Sequence, residues 1–236
     1  TEDVGIDELL NGIVNLFPDP VTDKSITLED DTTLDCTAEG DAVACVFKSV
    51  TDPYIGQLTY FRIYSGALSE GQDITNITRG SRERLGTLFR MNGKEESSVT
   101  DTAGPGEIIA AAKLKDTHIS DTLSAKTGLA KLRALQFSQP TVSYAVFPEK
   151  KGDEEKIGSG LSRLADEDPT LTVEFNQETR ETLISGMGDQ HLNNVITRLE
   201  AAFKVKVKLE TPKVPYRETI NGTATAQYRH KKQTGG

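Results

Sequence analysis

TLISGMGDQHLNNVITRLEAAF, from Thr182 to Phe203, changes its periodicity once. Thr182 to Ser185 has the character of a short strand, and Gly186, Met187 and Gly188 make a turn. After the turn Leu192, Val195, Ile196, Leu199 and Phe203 recur three or four apart, which is one face of a helix. Asp189 stands where a carboxylate can meet the unpaired amides of a first helical turn. Gly186 and Gly188 allow backbone angles or a close approach that a Cβ would forbid. The stretch predicts strand, tight turn and helix.

Around it, Pro140 to Pro212 divides into two similar halves. The first carries an alternating strand (Val142, Tyr144, Val146), a helix (Ile157, Leu161, Leu164, Ala165) and a second strand (Leu171, Val173, Phe175). The second is the stretch above followed by Lys204 to Leu209, where Val205, Val207 and Leu209 alternate with Lys204, Lys206 and Lys208. Strand, helix, strand, twice over, predicts a ferredoxin-like split β-α-β domain with both helices on one face of an antiparallel sheet.

Upstream, Ala42 to Phe137 consists of short alternating runs: Val43 to Val50, Leu58 to Ser65, Asp73 to Thr78, Arg84 to Arg90, Ile108 to Leu114 and Ala130 to Phe137. Asp52-Pro53, Ser65-Gly66, Glu70-Gly71, Arg79-Gly80 and Gly104-Pro105-Gly106 punctuate them, which predicts a closed or nearly closed β-barrel. Thr22 to Asp41 is polar and acidic and reads as a linker or extended excursion. Ile6, Leu9, Leu10, Ile13 and Val14 mark an amphipathic helix that Pro18 and Pro20 stop. The fold class expected is mainly β plus α+β, a barrel followed by a split β-α-β domain.

A length of 236 residues suits two compact domains, and 36% hydrophobic residues suffice for a core in each. No apolar run approaches the roughly 20 residues of a membrane span, and no basic-then-apolar leader opens the chain. The expected location is therefore cytoplasmic, with no membrane partner. Cys36 and Cys45 have no metal spacing and are expected to stay reduced.

Catalytic and nucleotide motifs are absent from this sequence. Gly66 to Gly71 has the glycine spacing of a phosphate loop, but Gln72 and Asp73 stand where Lys and a hydroxyl are required. Asp101-Thr102-Ala103-Gly104 imitates the Asp-x-x-Gly of GTPases, yet glycines flank Pro105 and a hairpin turn is the better reading. Gly186-Met187-Gly188 could hold an anion at a helix start, but Asp189 already places a negative charge there. His191 has no second ligand at metal spacing and is expected to pack or to serve between domains. Glu167-Asp168 before Pro169 reads as the solvated end of a helix. No catalytic residue, bound cofactor or metal is expected in these residues.

Binding is what remains. A net charge of -9 argues against a protein that coats nucleic acid indiscriminately, but local positive clusters exist. Arg79, Arg82, Arg84 and Arg90 crowd what reads as one hairpin; Lys204, Lys206 and Lys208 share one face of the last strand; Arg229, His230, Lys231 and Lys232 lead into the C-terminal Gln-Thr-Gly-Gly. Base stacking in the manner of RNA-recognition domains has no support, because Trp is absent and Tyr144, Phe147 and Phe175 occupy ordinary core or edge positions.

ADEDPT (Ala165 to Thr170), ISGMGDQHL (Ile184 to Leu192), PYRETI (Pro215 to Ile220) and KQTGG (Lys232 to Gly236) occur in an order and at separations that resemble elongation factor G. They match its third domain and the opening of its fourth. TDPYIGQLTYFRIYSGALSEGQ (Thr51 to Gln72) is similar to its second, barrel domain, and GIDELLNGIVNLFPDP (Gly5 to Pro20) to the helix and linker that close its GTPase domain. The resemblance implies four segments: 1–20 as the end of a GTPase domain, 21–138 as the barrel, 139–212 as the ferredoxin-like domain and 213–236 as the first strand of a fourth domain. It implies a monomeric fragment of a ribosome-dependent GTPase that promotes movement of tRNA and mRNA, with GTP and Mg²⁺ held by the intact parent. Ribosomal RNA of the small subunit and a ribosomal protein are the implied partners. Arg79, Arg82, Arg84, Arg90, Lys204, Lys206, Lys208, Lys231 and Lys232 are the candidate contacts, and Met187, Asp189 and His191 the candidate interdomain residues. Asp189, Gln190 and Asn193 replace two acids and a leucine of the family motif, and the acidic loop Asn92 to Asp101 looks more like a paralogue. A ribosome-recycling factor, a tetracycline-protection protein and a stand-alone ribosome- or RNA-binding module are the alternatives. The junction at Ser138 to Pro140 is the expected hinge.

Overall fold

The computed structural model describes residues 4–17, 25–52, 55–93 and 95–229. In chain order these form α1 (Ile6–Leu16), β1 (Ser25–Thr27), β2 (Thr33–Asp35), β3 (Val43–Asp52), β4 (Gly56–Ser65), β5 (Asp73–Asn76), β6 (Ser81–Arg84), β7 (Leu88–Asn92), β8 (Glu95–Ser98), β9 (Ile108–Ala112) and β10 (Thr122–Ser124). Then follow β11 (Val142–Pro148), α2 (Glu154–Glu167), β12 (Thr172–Asn176), β13 (Glu181–Gly186), α3 (Asp189–Phe203) and β14 (Val207–Glu210). No helix among the described residues is long and apolar enough to cross a membrane.

The barrel is an eight-stranded sheet in the order β6-β5-β10-β3-β4-β9-β7-β8. Alternation decides what it encloses: Ala44 and Val46 on β3, Phe61 and Ile63 on β4, and Ile109 and Ala111 on β9 all enter one core with Leu68, Leu85, Leu88 and Leu123. Reciprocal backbone hydrogen bonds between Leu68 and Ala103, 2.8 and 2.9 Å, tie distant parts of the sheet together.

Three expectations need correction here. Thr22 to Asp41 is not only a linker: β1 and β2 pair as a hairpin, and Ile26, Leu28 and Leu34 pack on Val43, Cys45 and Leu132. Arg84 to Arg90 spans parts of two strands, β6 and β7, which lie in distant parts of the sheet order with residues 85–87 in neither. Ala130 to Phe137 forms no strand beyond one bridge from Leu132 to Leu28. Leu132 is buried against Leu28 and Val43, with Ala130 beside it, whereas Leu135 and Phe137 are exposed.

The second sheet has the order β12-β13-β11-β14, all antiparallel, with α2 and α3 packed on one face. Ile157, Leu161 and Leu164 of α2 meet Leu192, Val195 and Leu199 of α3 over Val146 and Ile184. The last strand is shorter than its lysine alternation suggests, since Lys204 adopts a left-handed conformation (φ 57°) that ends α3. Phe175 is 61% exposed at the end of the edge strand β12. Residues 213–229 form no strand, having no ladder partner among the described residues; Lys213 pairs with Glu181 and Arg217 with Glu178 instead. Ile6, Leu9, Leu10 and Ile13 of α1 are all more than 40% exposed, so that apolar face is uncovered among the described residues.

Candidate nucleic-acid interface

The four arginines divide into two kinds. Arg79 is anchored: its Nε lies 2.8 Å from Asp121 Oδ2 and its guanidinium 3.7 Å from Asp116. Arg90 is on β7, outside the β5–β6 hairpin, and its Nε lies 2.8 Å from Glu107 with a further contact of 3.1 Å to Asp101. These carboxylates hold the Arg90 charge firmly and are themselves held below the usual carboxylate range by it. The sequence grouping of Arg90 with the hairpin arginines is therefore corrected: its side chain fastens a turn. That turn, Gly104-Pro105-Gly106-Glu107, has Gly106 at φ 86° and a 3.2 Å bond from the Glu107 amide to the Gly104 carbonyl, the geometry of a type II turn with Pro at its second position.

Arg82 and Arg84 remain. Both are exposed on the edge strand β6, and neither has an ion pair among the described residues. Glu83 between them points inward and is 7% exposed. Its Oε1 accepts the amides of Lys115 (2.9 Å) and Asp116 (2.6 Å) and the hydroxyl of Thr117 (3.2 Å). Asp121, also buried, accepts Asn76 Nδ2, Arg79 Nε and the His118 amide, each at 2.8 Å. Two buried acids thus clamp the loop 113–121 against the hairpin and fix which side of β6 the arginines leave. Sequence reasoning missed both acids. The signal for Glu83 was its place in the Arg82-Glu83-Arg84 alternation, where one sign of charge faces out and the other in.

On the second sheet Lys206 and Lys208 are exposed, while Val205 and Val207 turn towards the helices. The Glu149 amide donates to the Lys206 carbonyl (3.0 Å), which brings the exposed Lys150 and Lys151 to the same corner. Those two lysines were not among the sequence candidates. Lys231 and Lys232 lie outside the described residues.

The contacts of the remaining candidates lie within the split β-α-β domain. Asp189 does not cap the helix amides: its carboxylate accepts Tyr144 Oη at 2.9 Å, which raises the tyrosine's pKa. His191 Nδ1 accepts the Met187 amide (3.1 Å), so its Nε2–H faces Asp168 Oδ2 at 2.9 Å. Met187 itself is 41% exposed. Glu167 and Asp168 are not a solvated helix end. Asp168 also takes the Thr170 amide and hydroxyl, and Glu167, with its side chain 7% exposed, takes the Thr51 amide and Arg198. Gly186 is needed for close approach, since a Cβ would sit 2.7 Å from Leu192 Cδ2; at Gly188 the backbone is extended and the space open.

Known families now account for both domains. The family model described as "Elongation factor G domain 2" matches residues 41–126, and "Elongation Factor G, domain III" matches residues 137–211. A crystal structure of a Thermus thermophilus protein superimposes with a TM-score of 0.74 at 30% identity, covering 90% of this chain and 30% of that one. The chain spans under a third of that relative's length. Barrel and split β-α-β domain in this order define a translation elongation factor scaffold. The chain belongs to the elongation factor G family, of which it carries the second and third domains.

Proposed function

We propose that this chain is the small-subunit docking part of a ribosome-dependent elongation factor G type GTPase that promotes movement of tRNA and mRNA, with GTP and Mg²⁺ bound elsewhere in the parent protein. The observation that carries this reading is the pair Arg82 and Arg84, exposed and without ion pairs among the described residues, on an edge strand whose orientation the buried Glu83 fixes. Cations without an ion pair among the described residues, in a protein of net charge -9, suit a phosphate backbone. Lys206 and Lys208, with Lys150 and Lys151, form a second, weaker candidate. The test is binding of the full chain to isolated small ribosomal subunits across a salt series. Replacing Arg82 and Arg84 with Glu should weaken binding about tenfold per arginine and reduce the log–log salt slope by about one per lost phosphate contact. Unchanged affinity and slope in the double variant would refute the assignment of this hairpin.

A further inference from the structure

Three consecutive acids, Asp166 and Glu167 at the end of α2 and Asp168 at its cap, point to different partners. Asp168 turns to His191 inside its own domain. The other two turn to the barrel: Glu167 Oε1 accepts the Thr51 amide of β3 at 2.7 Å, and Asp166 Oδ1 lies 3.8 Å from His118 Nε2. Beside these contacts the seam encloses open space. Arg163 and Asp166 face Thr51, Gly56 and Gln57 across a cavity of about 200 Å³. Among the described residues the apolar clusters of the barrel and of the split β-α-β domain stay separate, so no shared apolar core there fixes how the two domains sit.

We infer that the end of α2 is a polar latch that sets the relative position of the two domains, with Glu167 as its fixed point. A charge-assisted bond from a carboxylate with 7% of its side chain exposed holds better than a surface pair, because little water competes for it. Arg198 of α3 binds the same carboxylate, so the latch reads the position of both helices at once. The His118 contact, with both side chains more than a third exposed, steadies the latch and does not carry it. Ser138 to Pro140 joins the domains covalently; the latch decides which angle that joint takes. None of this depends on ribosome binding.

The test is the distance distribution between spin labels on the full chain, one at Ser97→Cys on β8 and one at Asn193→Cys on α3, since both sites are exposed and Cys36 and Cys45 are buried. With the latch intact the distribution should be narrow. Glu167→Ala should broaden it at least twofold. Thr51→Pro removes only the barrel's donor, an amide that goes to Glu167 beyond the stretch of β3 that β10 pairs, and should broaden it equally with the split domain untouched. Arg198→Ala keeps the Thr51 bond and should stay near the parent width. Parent-like widths in folded Glu167→Ala or Thr51→Pro would overturn the inference. So would broadening by Arg198→Ala with Thr51→Pro unchanged, which would locate the effect inside one domain.

Discussion

His191 Nε2 lies 2.9 Å from Asp168 Oδ2, and this contact clasps the first turn of α3 to the residue that caps α2. Burial alone would raise the Asp168 carboxyl, but the Thr170 hydroxyl and amide and His191 together hold it below its ordinary value. A carboxyl lowered by folding contributes stability that is complete above its unfolded pKa of about 3.9 and is lost as pH falls through the folded value. Asp168→Asn should therefore flatten the acid loss of stability from about pH 4 downward, and cost about 1 kcal/mol at neutral pH. Urea unfolding at pH 7, 5, 4 and 3 measures both effects; an unaltered acid limb would assign the acid sensitivity to other carboxylates.

All three bonds to the Glu83 side chain fall on one oxygen, Oε1. Glu83→Gln can keep a carbonyl oxygen in that place and should cost about 1 kcal/mol. Glu83→Ala strands two amides and a hydroxyl and should cost about 3 kcal/mol. The ratio of the two losses, read from denaturation midpoints of the barrel, checks the geometry: equal costs would mean that the charge, rather than the acceptor, is what the loop requires.

The split β-α-β domain was legible because helix and strand periods alternate cleanly between Val142 and Leu209, and two of the family motifs, ADEDPT and ISGMGDQHL, fall within that span. The barrel was legible in its long strands but not at β8 and β10. Glu95 to Ser98 has no apolar residue, and Thr122 to Ser124 is too short to show alternation. Candidate contacts were legible as residue types only. Charge in a sequence does not say which arginine is already bonded, and Asp121, 42 residues from Arg79, becomes its partner through the sheet order alone. The acids ending α2 were misread for the same reason: their partners Thr51, Arg198 and His191 are remote in sequence.

Two glycines of α2 test the helix packing with opposite signs. A Cβ on Gly160 would stand 2.5 Å from Leu199 Cδ1 and 3.0 Å from Phe203 Cδ2, whereas Gly158 is exposed with nothing within 4 Å. Alanine gains up to about 1 kcal/mol of helix propensity at either place. At Gly160 overpacking of about 1–3 kcal/mol opposes that gain. Gly158→Ala should raise the melting temperature and Gly160→Ala should lower it; a rise in both would mean that α3 can move aside.

Arg90 should behave unlike Arg82 although both are arginines of the same barrel. Its guanidinium spans Glu107, Asp101 and the Thr102 carbonyl, three points around the approach to the β9 turn, and only a planar fork can meet all three. Arg90→Lys keeps the charge and loses the fork. Amide exchange at Val99 and Ala103, whose donors bond Leu88 and Leu68 across this region, should quicken about tenfold or more, because local opening there no longer has to break three bonds at once. Affinity for small ribosomal subunits should stay within about twofold of the parent, since the Arg90 charge is already engaged by Glu107 and Asp101. Slow exchange retained in Arg90→Lys would show that the type II turn at Gly104 holds the segment without help.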